Sequence, residues 1–504
     1  MNFERSDKNV ANRVFKGALF LTGARFILRL FSLVNLVVLG RLLVPDDYGV
    51  ATLAIVTIGF VQVFSDIRVN SALIALKDVE KRYLDTGFTM NLIRGVLIAA
   101  LLFFAAGPIA AYMDEPRLAD VLRVICIVLV FDGLKNPAFM MYQRNIDFSR
   151  EFKRRAAATV LGSAAAIGVA IATESYWAIV AGTLAGRFME SAFTYYRIPY
   201  KPVLRLREWR MFFGFGGWLT ASGIVSYLLN MLPQIVIGKF IGPGPLGHYT
   251  VGRDVSMLAT RELAAPLSQA LFPGLSAISH NKNRLRGAFR KAQATILGVA
   301  LPIGVGSALV ANELIAVLVG DKWLPDAADV VVLLAPTIAI SMISSATDGL
   351  AMAKLATRQM LMRNLVIAAF SVPAFVFGLW QWGFIGVIYA TIFRFAVNTA
   401  VNMYFAKEMI GDSFLAPLAA SWRSFVAAGL MSAAVIAVPA PFEKGQEELQ
   451  ILIEMMPRVL LGGAVYVGAH YLLWRLAGKP DGFEAKMQEF LGKAGGAVAG
   501  RLRR

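Results

Sequence analysis

Long apolar stretches follow one another along the whole chain, separated by short breaks rich in Pro, Gly, Arg and Lys. Apolar runs of about 18 or more residues mark membrane helices. The pattern predicts fourteen of them. The first six cover about 15–40, 49–75, 87–111, 119–141, 156–173 and 177–196. The next six cover about 211–237, 249–277, 288–310, 327–353, 364–380 and 384–406, and the last two about 422–439 and 453–476. The fold class expected is therefore an all-α integral membrane protein.

One break occurs twice. Gly40-Arg41-Leu42-Leu43-Val44-Pro45-Asp46-Asp47-Tyr48-Gly49 returns 198 residues later as Gly238-Lys239-Phe240-Ile241-Gly242-Pro243-Gly244-Pro245-Leu246-Gly247. The shared pattern is Gly, a base, two apolar residues, any residue, Pro, three more and Gly. Pro and Gly stop a helix and turn the chain, and a base suits a helix C-terminus. Each copy ends one apolar segment and starts another, which points to a duplicated unit. The expected organisation is two pseudo-symmetric six-helix bundles, 1–205 and 206–410, a terminal helix pair, 411–478, and a tail, 479–504.

Charge adds orientation. The 504 residues are 57% hydrophobic and 16% charged, with a net charge of +17. Soluble domains carry about 25% charged residues. The bases do not form one nucleic-acid-binding patch. They cluster in loops 143–155, 197–210 and 280–291, whereas the alternate loops 112–117, 174–176 and 381–383 hold few. By the positive-inside rule both termini face the cytoplasm. The first segment carries Arg25 and Arg29 and lacks a small-residue cleavage site, so it reads as an uncleaved anchor. The tail, with Phe483, Met487, Phe490 and Leu491 at helical spacing and a basic end, reads either as an amphipathic surface helix or as a frayed terminus. A single cysteine, Cys126, allows no disulfide framework, and three histidines without a Cys/His cluster give no metal site. No cofactor is expected.

The candidate chemistry lies in polar residues within the apolar spans, where ionisable groups face a bundle interior or a water cavity. Arg25 and Arg29 stand four apart in the first span, and Gln62, Asp66 and Asn70 form a row in the second, with Arg68 off it. Ser222, Ser226, Asn230 and Gln234 form a row in the seventh, with Pro233 as a kink. Arg253, Asp254, Arg261 and Glu262 follow in the eighth, and Arg394, Asn398 and Asn402 in the twelfth. Asp132 and Asp348 complete the interior acids. Helix–helix packing is the plainer reading of the Ser and Asn rows. Arg94, Arg123 and Arg458, near span ends, are expected to snorkel to the interface, and Arg187 and Glu190 to form a local pair. Taken together the interior favours arginine, which binds phosphate bidentately and stays charged. An anionic cargo, a pyrophosphate in particular, is expected on Arg25, Arg29, Arg68, Arg253, Arg261, Arg394, Asn230, Gln234 and Asn398. Asp66, Asp254, Glu262 and Asp348 are the expected ion-coupling or gating acids.

The chain resembles the polysaccharide-type flippases, for O-antigen or exopolysaccharide, of the multidrug/oligosaccharidyl-lipid/polysaccharide exporter superfamily. The resemblance is carried by Gly40–Gly49, Phe64-Ser65-Asp66, Asn70–Ile74, Gln143–Phe148, Gly238–Tyr249 and Pro266–Pro273, and it departs at Arg68, where a small residue is expected. It covers about residues 10–410. It implies a V-shaped pair of bundles working by alternating access in a bacterial inner membrane. It also implies an undecaprenyl-pyrophosphate-linked oligosaccharide cargo, carried from the cytoplasmic to the periplasmic leaflet for exopolysaccharide, capsule or lipopolysaccharide synthesis. A polysaccharide polymerase and a co-polymerase are the partners it implies beside membrane lipids. Three other readings compete. A multidrug exporter of the same superfamily would carry an acid-dominated cavity. A membrane glycosyltransferase or ligase would need a larger outer loop. A non-transporting scaffold would leave the interior charges unexplained. No Gly-rich Lys-Ser/Thr loop is present to bind ATP.

Overall fold

The computed structural model describes residues 28, 30–66, 69, 73, 79–144, 148–209, 217–258, 260, 282–345, 347, 357–439 and 442–479. Among them every regular element is a helix. Among the described residues, eight helices are long and apolar enough to cross a membrane, and two shorter apolar helices, Leu30–Leu42 and Trp422–Ile436, accompany them. The chain divides into two compact units, Met1–Thr250 with Leu318–Lys322, and Val251–Val317 with Trp323–Arg504.

The first unit contains α1 (Leu30–Leu42), α2 (Pro45–Ser65), α3 (Lys81–Tyr112), α4 (Arg117–Ile125), α5 (Ile127–Gly133), α6 (Phe148–Thr173), α7 (Trp177–Phe193) and α8 (Gly217–Phe240). Pro45 starts α2, where its missing N–H costs nothing. The 32 residues of α3 rise about 48 Å, longer than a bilayer's hydrocarbon core is thick. Its outer turns, at Leu97, Leu101, Phe103 and Phe104, leave large apolar side chains exposed, as a lipid-facing surface does. Helices α6 and α7 meet along small residues. A methyl group on Gly162 would lie 2.9 Å from the Gly182 carbonyl, and one on Gly182 would lie 2.6 Å from Ala166 Cβ. Ala158, Gly162, Ala166 and Ala170 repeat every four residues, as do Ala178, Gly182 and Gly186. Such stripes let membrane helices approach closely, because packing rather than hydrophobicity joins them.

Three boundaries differ from expectation. The fourth span ends at Gly133, because Asn136 caps a 3₁₀ turn that opens at Pro137. The basic segments 143–155 and 280–291 are largely helix, since α6 begins at Phe148 and the first long helix of the second unit at Lys282. Ion pairs of Glu151 with Arg154 and Arg155, three and four residues on, favour a helical turn in a polar segment. Residues 197–209 of the remaining basic segment form a strap. Its Tyr200 hydroxyl and Val203 N–H both donate to the buried Asp85 carboxylate at the start of α3, and Arg205 N–H donates to Thr89 Oγ1 at 2.8 Å. Burial and the Asp85 carboxylate push the Tyr200 phenol well above its usual range.

The second unit contains residues 251–258, α9 (Lys282–Leu309), residues 311–317 of the helix Ala311–Val319, α10 (Asp326–Ser341), α11 (Thr357–Ile410), α12 (Trp422–Ile436) and α13 (Glu448–Leu476). Helix α11 breaks at Gly383, whose φ of 56° suits glycine. Gly378 and Gly386 then face each other so closely that neither could carry a side chain. The break matches the expected turn at 381–383. Helices α12 and α13 share a core with α9 through Leu297, Leu301, Ala427, Met431 and Tyr466. Polar ties reinforce it: Tyr466 donates to the Gly298 carbonyl at 2.8 Å, Ser424 Oγ lies 3.1 Å from His470 Nε2, and Arg458 pairs with Glu313.

Candidate functional site

A cavity of about 450 Å³ lies inside the first unit. Five helices build it, each with a polar patch at the same end of the unit. Helix α2 contributes Gln62 and Asp66, one turn apart and hence on one face. Helix α3 adds Asn91 and Arg94. The end of α5 and the turn after it add Asp132, Lys135 and Asn136. Helix α6 adds Arg154, and α7 adds Arg187, Glu190 and, just past its end, Thr194. Three acids and four bases thus line the space.

The charges form one network. Lys135 Nζ bridges Asp132 Oδ1 at 2.6 Å and Glu190 Oε2 at 3.0 Å. Glu190 also takes Arg154 at 2.6 Å and Arg187 at 3.2 Å. Arg154 reaches on to Glu151 at 2.7 Å. Gln62 Nε2 donates to Asp132 Oδ2 at 2.6 Å, which ties α2 to α5. Arg94 lies 3.5 Å from Asp66 and donates to the Ser65 carbonyl at 3.3 Å. Three bases converge on the one Glu190 carboxylate, so its charge holds the network together. An anion entering the cavity would compete with Glu190 and Asp132 for the same donors.

Of the expected site residues, Asp66 lies in this cavity. Arg25, Arg29, Arg68, Arg261, Glu262 and Asp348 lie outside the described residues, as does the tail beyond 479. Arg253 and Asp254 are paired with each other at 2.8 Å. Arg394 is buried, with its guanidinium 4.4 Å from the centre of the Phe395 ring. Asn398 accepts from Asn402 Nδ2, and Asn402 accepts in turn from Arg363 at 2.9 Å, so this row joins the two arms of α11. Asn230 donates to the Ser226 carbonyl one turn back. Gln234 is buried in α8.

Two arginines expected at the interface are inside instead. Arg94 lines the cavity, and Arg458 is buried against Glu313 and the Leu309 carbonyl. Arg187 and Glu190 do pair locally, but within the larger network. The residues that reading the sequence did not assign to a site are Arg94, Asp132, Lys135, Arg154, Arg187 and Glu190. Asp132, Arg187 and Glu190 carried a signal, being ionisable groups in apolar runs. Lys135, inside the expected fourth span, carried the same signal, whereas Arg154 carried none, since it stands where a cytoplasmic loop was expected.

Residues 38–328 match the family described as polysaccharide biosynthesis protein. A lipopolysaccharide biosynthesis protein of Escherichia coli K12, WzxC, is 23% identical over 83% of this chain and 86% of its own length. A teichuronic acid biosynthesis protein of Bacillus subtilis 168, TuaB, is 23% identical over 63% of this chain and 66% of its own. Among solved structures, the lipid II flippase MurJ in an inward closed conformation superposes with a TM-score of 0.71. That match covers 90% of this chain and 99% of MurJ at 14% identity, and it bears on the fold alone. With its family matched over more than half the chain, its helices apolar enough to span a bilayer and its fold that of a membrane flippase, this multi-pass membrane protein belongs to the polysaccharide biosynthesis protein family.

Proposed function

We propose that this protein carries a polyprenyl-pyrophosphate-linked oligosaccharide from the cytoplasmic to the periplasmic leaflet of a bacterial inner membrane, and that it does so without covalent chemistry. The observation that carries the proposal is the charged cavity inside an apolar unit of a chain from this family. A lipid-linked oligosaccharide has a phosphate-rich, hydroxyl-rich head that cannot cross hydrocarbon unaided. Lining bases and amides replace the water it loses, and the apolar outer surface leaves the lipid tail in the bilayer. Four lining bases against three acids suit an anion. This balance favours the phosphate cargo over the cationic cargo of a multidrug exporter.

The charge of the loops supports an inward-facing mouth for the cavity and cytoplasmic termini. Arg25 and Arg29 remain the proposed pyrophosphate clamp of the first span, one helical turn apart. Fourteen spans in two six-helix halves, divided near residue 205, remain the proposed organisation, and a polymerase and co-polymerase the proposed partners. Deleting the gene tests the function. Cells should lose a surface or secreted polysaccharide and accumulate the lipid-linked oligosaccharide in the inner leaflet. Normal polymer output, with no second flippase gene present, would overturn the reading.

A further inference from the structure

We propose that the two copies of the repeated turn form one reciprocal clasp, in which each turn's last glycine seats the other turn's proline. Both copies belong to the first unit, so the contact is made within it. A methyl group on Gly49 would overlap the Pro243 carbonyl, and a methyl group on Gly247 would overlap the Pro45 carbonyl. Gly49 and Gly247 are the tenth residues of the two copies, and Pro45 and Pro243 the sixth. The same two positions therefore meet twice, with roles exchanged. That is the signature of a pseudo-twofold axis running between the turns, because an isologous contact repeats each pair with its partners swapped. The repeat in the sequence thus has a physical purpose: each motif is built to fit the other.

The fit continues below the turns. Gly238, the first residue of the second copy, leaves room for Leu53 of α2. Farther along the same seam the Tyr227 hydroxyl of α8 donates to the Val56 carbonyl at 3.0 Å. The loop between α3 and α4 holds both turns at once. Arg117, the first residue of α4, pairs with Asp46 of the first copy at 2.6 Å, and the loop's Asp114 pairs with Lys239 of the second at 2.5 Å.

These contacts are suited to opening. At Gly49 and Gly247 the joint between the turns is backbone against backbone. The ion pairs that steady it reach the surface, Asp114 being 75% and Asp46 44% exposed. Exposed pairs hold weakly, so the two turns separate together as a unit. The reading of the protein as an alternating-access transporter supplies the purpose, a seal that must part once per cycle, but the clasp itself rests on the packing alone.

Hydrogen exchange on the full-length protein in lipid nanodiscs tests it without any cargo, so its outcome is independent of the functional reading. Gly49→Ala and Gly247→Ala should each raise amide exchange about tenfold in both turns, 40–49 and 238–247, whichever glycine is changed. Gly244→Ala is the control. A methyl there would lie an ordinary 3.8 Å from Asp46, and exchange should stay at the wild-type rate in both turns. Lys239→Glu leaves the glycine contacts intact and should raise exchange two- to threefold, again in both turns. It also serves if an alanine variant fails to accumulate. An increase confined to the turn that carries the substitution, or an equal increase in Gly244→Ala, would overturn the clasp.

Discussion

Arginine and carboxylate meet in both units, buried in the second and part-buried in the first, with different surroundings. In the second unit Arg458 and Glu313 close on each other across a helix seam, and the Leu309 carbonyl takes a further guanidinium N–H. In the first unit Glu190 answers to three bases, Asp132 shares two of them, Lys135 and Arg187, and about 450 Å³ of space adjoins the group. The seam pair closes on itself and on one backbone carbonyl. The cavity network has bases that serve two acids each, and room for a third anion. What distinguishes a brace from a binding site here is space beside the charges rather than residue type.

The contrast yields graded expectations. The largest effect on stability belongs to the seam. Arg458→Leu would strand Glu313 in a buried site, and breaking a buried pair costs about 3–5 kcal/mol. Membrane abundance and the unfolding midpoint should fall sharply. The double variant Arg458→Leu, Glu313→Leu should recover most of the loss, because apolar residues replace a buried pair well, and its polymer output per molecule should match the wild type. A loss of output in the double variant at normal abundance would give this pair a role in transport.

The cavity should behave in the opposite way. Glu190→Gln removes the carboxylate that three bases share, yet each base keeps polar neighbours. The thermal midpoint should move less than in Arg458→Leu, while polymer output falls at least tenfold. Unchanged output would reduce the network to a brace like the seam.

Packing without charge comes next. Gly182→Leu would push a branched side chain into Ala166 and the Gly162 carbonyl, and overpacking of this kind costs about 1–3 kcal/mol. Thermal unfolding in detergent should show the drop. Gly168→Leu, at a position with open space around it, should leave the midpoint unchanged.

The smallest effect depends on pH. Hydrogen bonding from Arg290 holds the Asp412 carboxyl below its ordinary range. A lowered folded pKa means that the pair stabilises the protein above the unfolded carboxylate value, about 3.9. That contribution is lost as pH falls through the folded value. Arg290 is 44% exposed, so less than about 1 kcal/mol is at stake. Asp412→Asn should lower stability slightly at neutral pH and make this step in the acid titration disappear.

Much of the fold could be read from apolar run length. The turn at Gly383, the α6–α7 hairpin and the repeated turn all stand where the pattern of breaks put them. The helical extensions into the basic segments escaped it, because Phe148–Arg155 is polar enough to read as a loop and becomes helical through its own ion pairs. Less of the candidate site was visible. Gln62 and Asp66 announced themselves by a polar row in an apolar helix. Lys135, inside the expected fourth span, carried the same kind of signal. Arg154 did not, since a base beside a span end looks the same whether it faces water or bends inward to a carboxylate. Arg94 and Arg458 show the same ambiguity resolved inward. The partner that decides each case, Asp66 for Arg94 and Glu313 for Arg458, is 28 and 145 residues away in sequence.

Reconstituted flipping addresses the central claim most directly. The protein is placed in liposomes with a polyprenyl-pyrophosphate-linked oligosaccharide, and the fraction reaching the opposite leaflet is followed with an impermeant sugar-modifying reagent. Transfer above empty liposomes is expected for the wild type and, at a similar rate, for the Arg458→Leu, Glu313→Leu variant, with at least a tenfold loss in Glu190→Gln. Wild-type transfer no faster than empty liposomes, or a Glu190→Gln rate equal to the wild type, would contradict the claim.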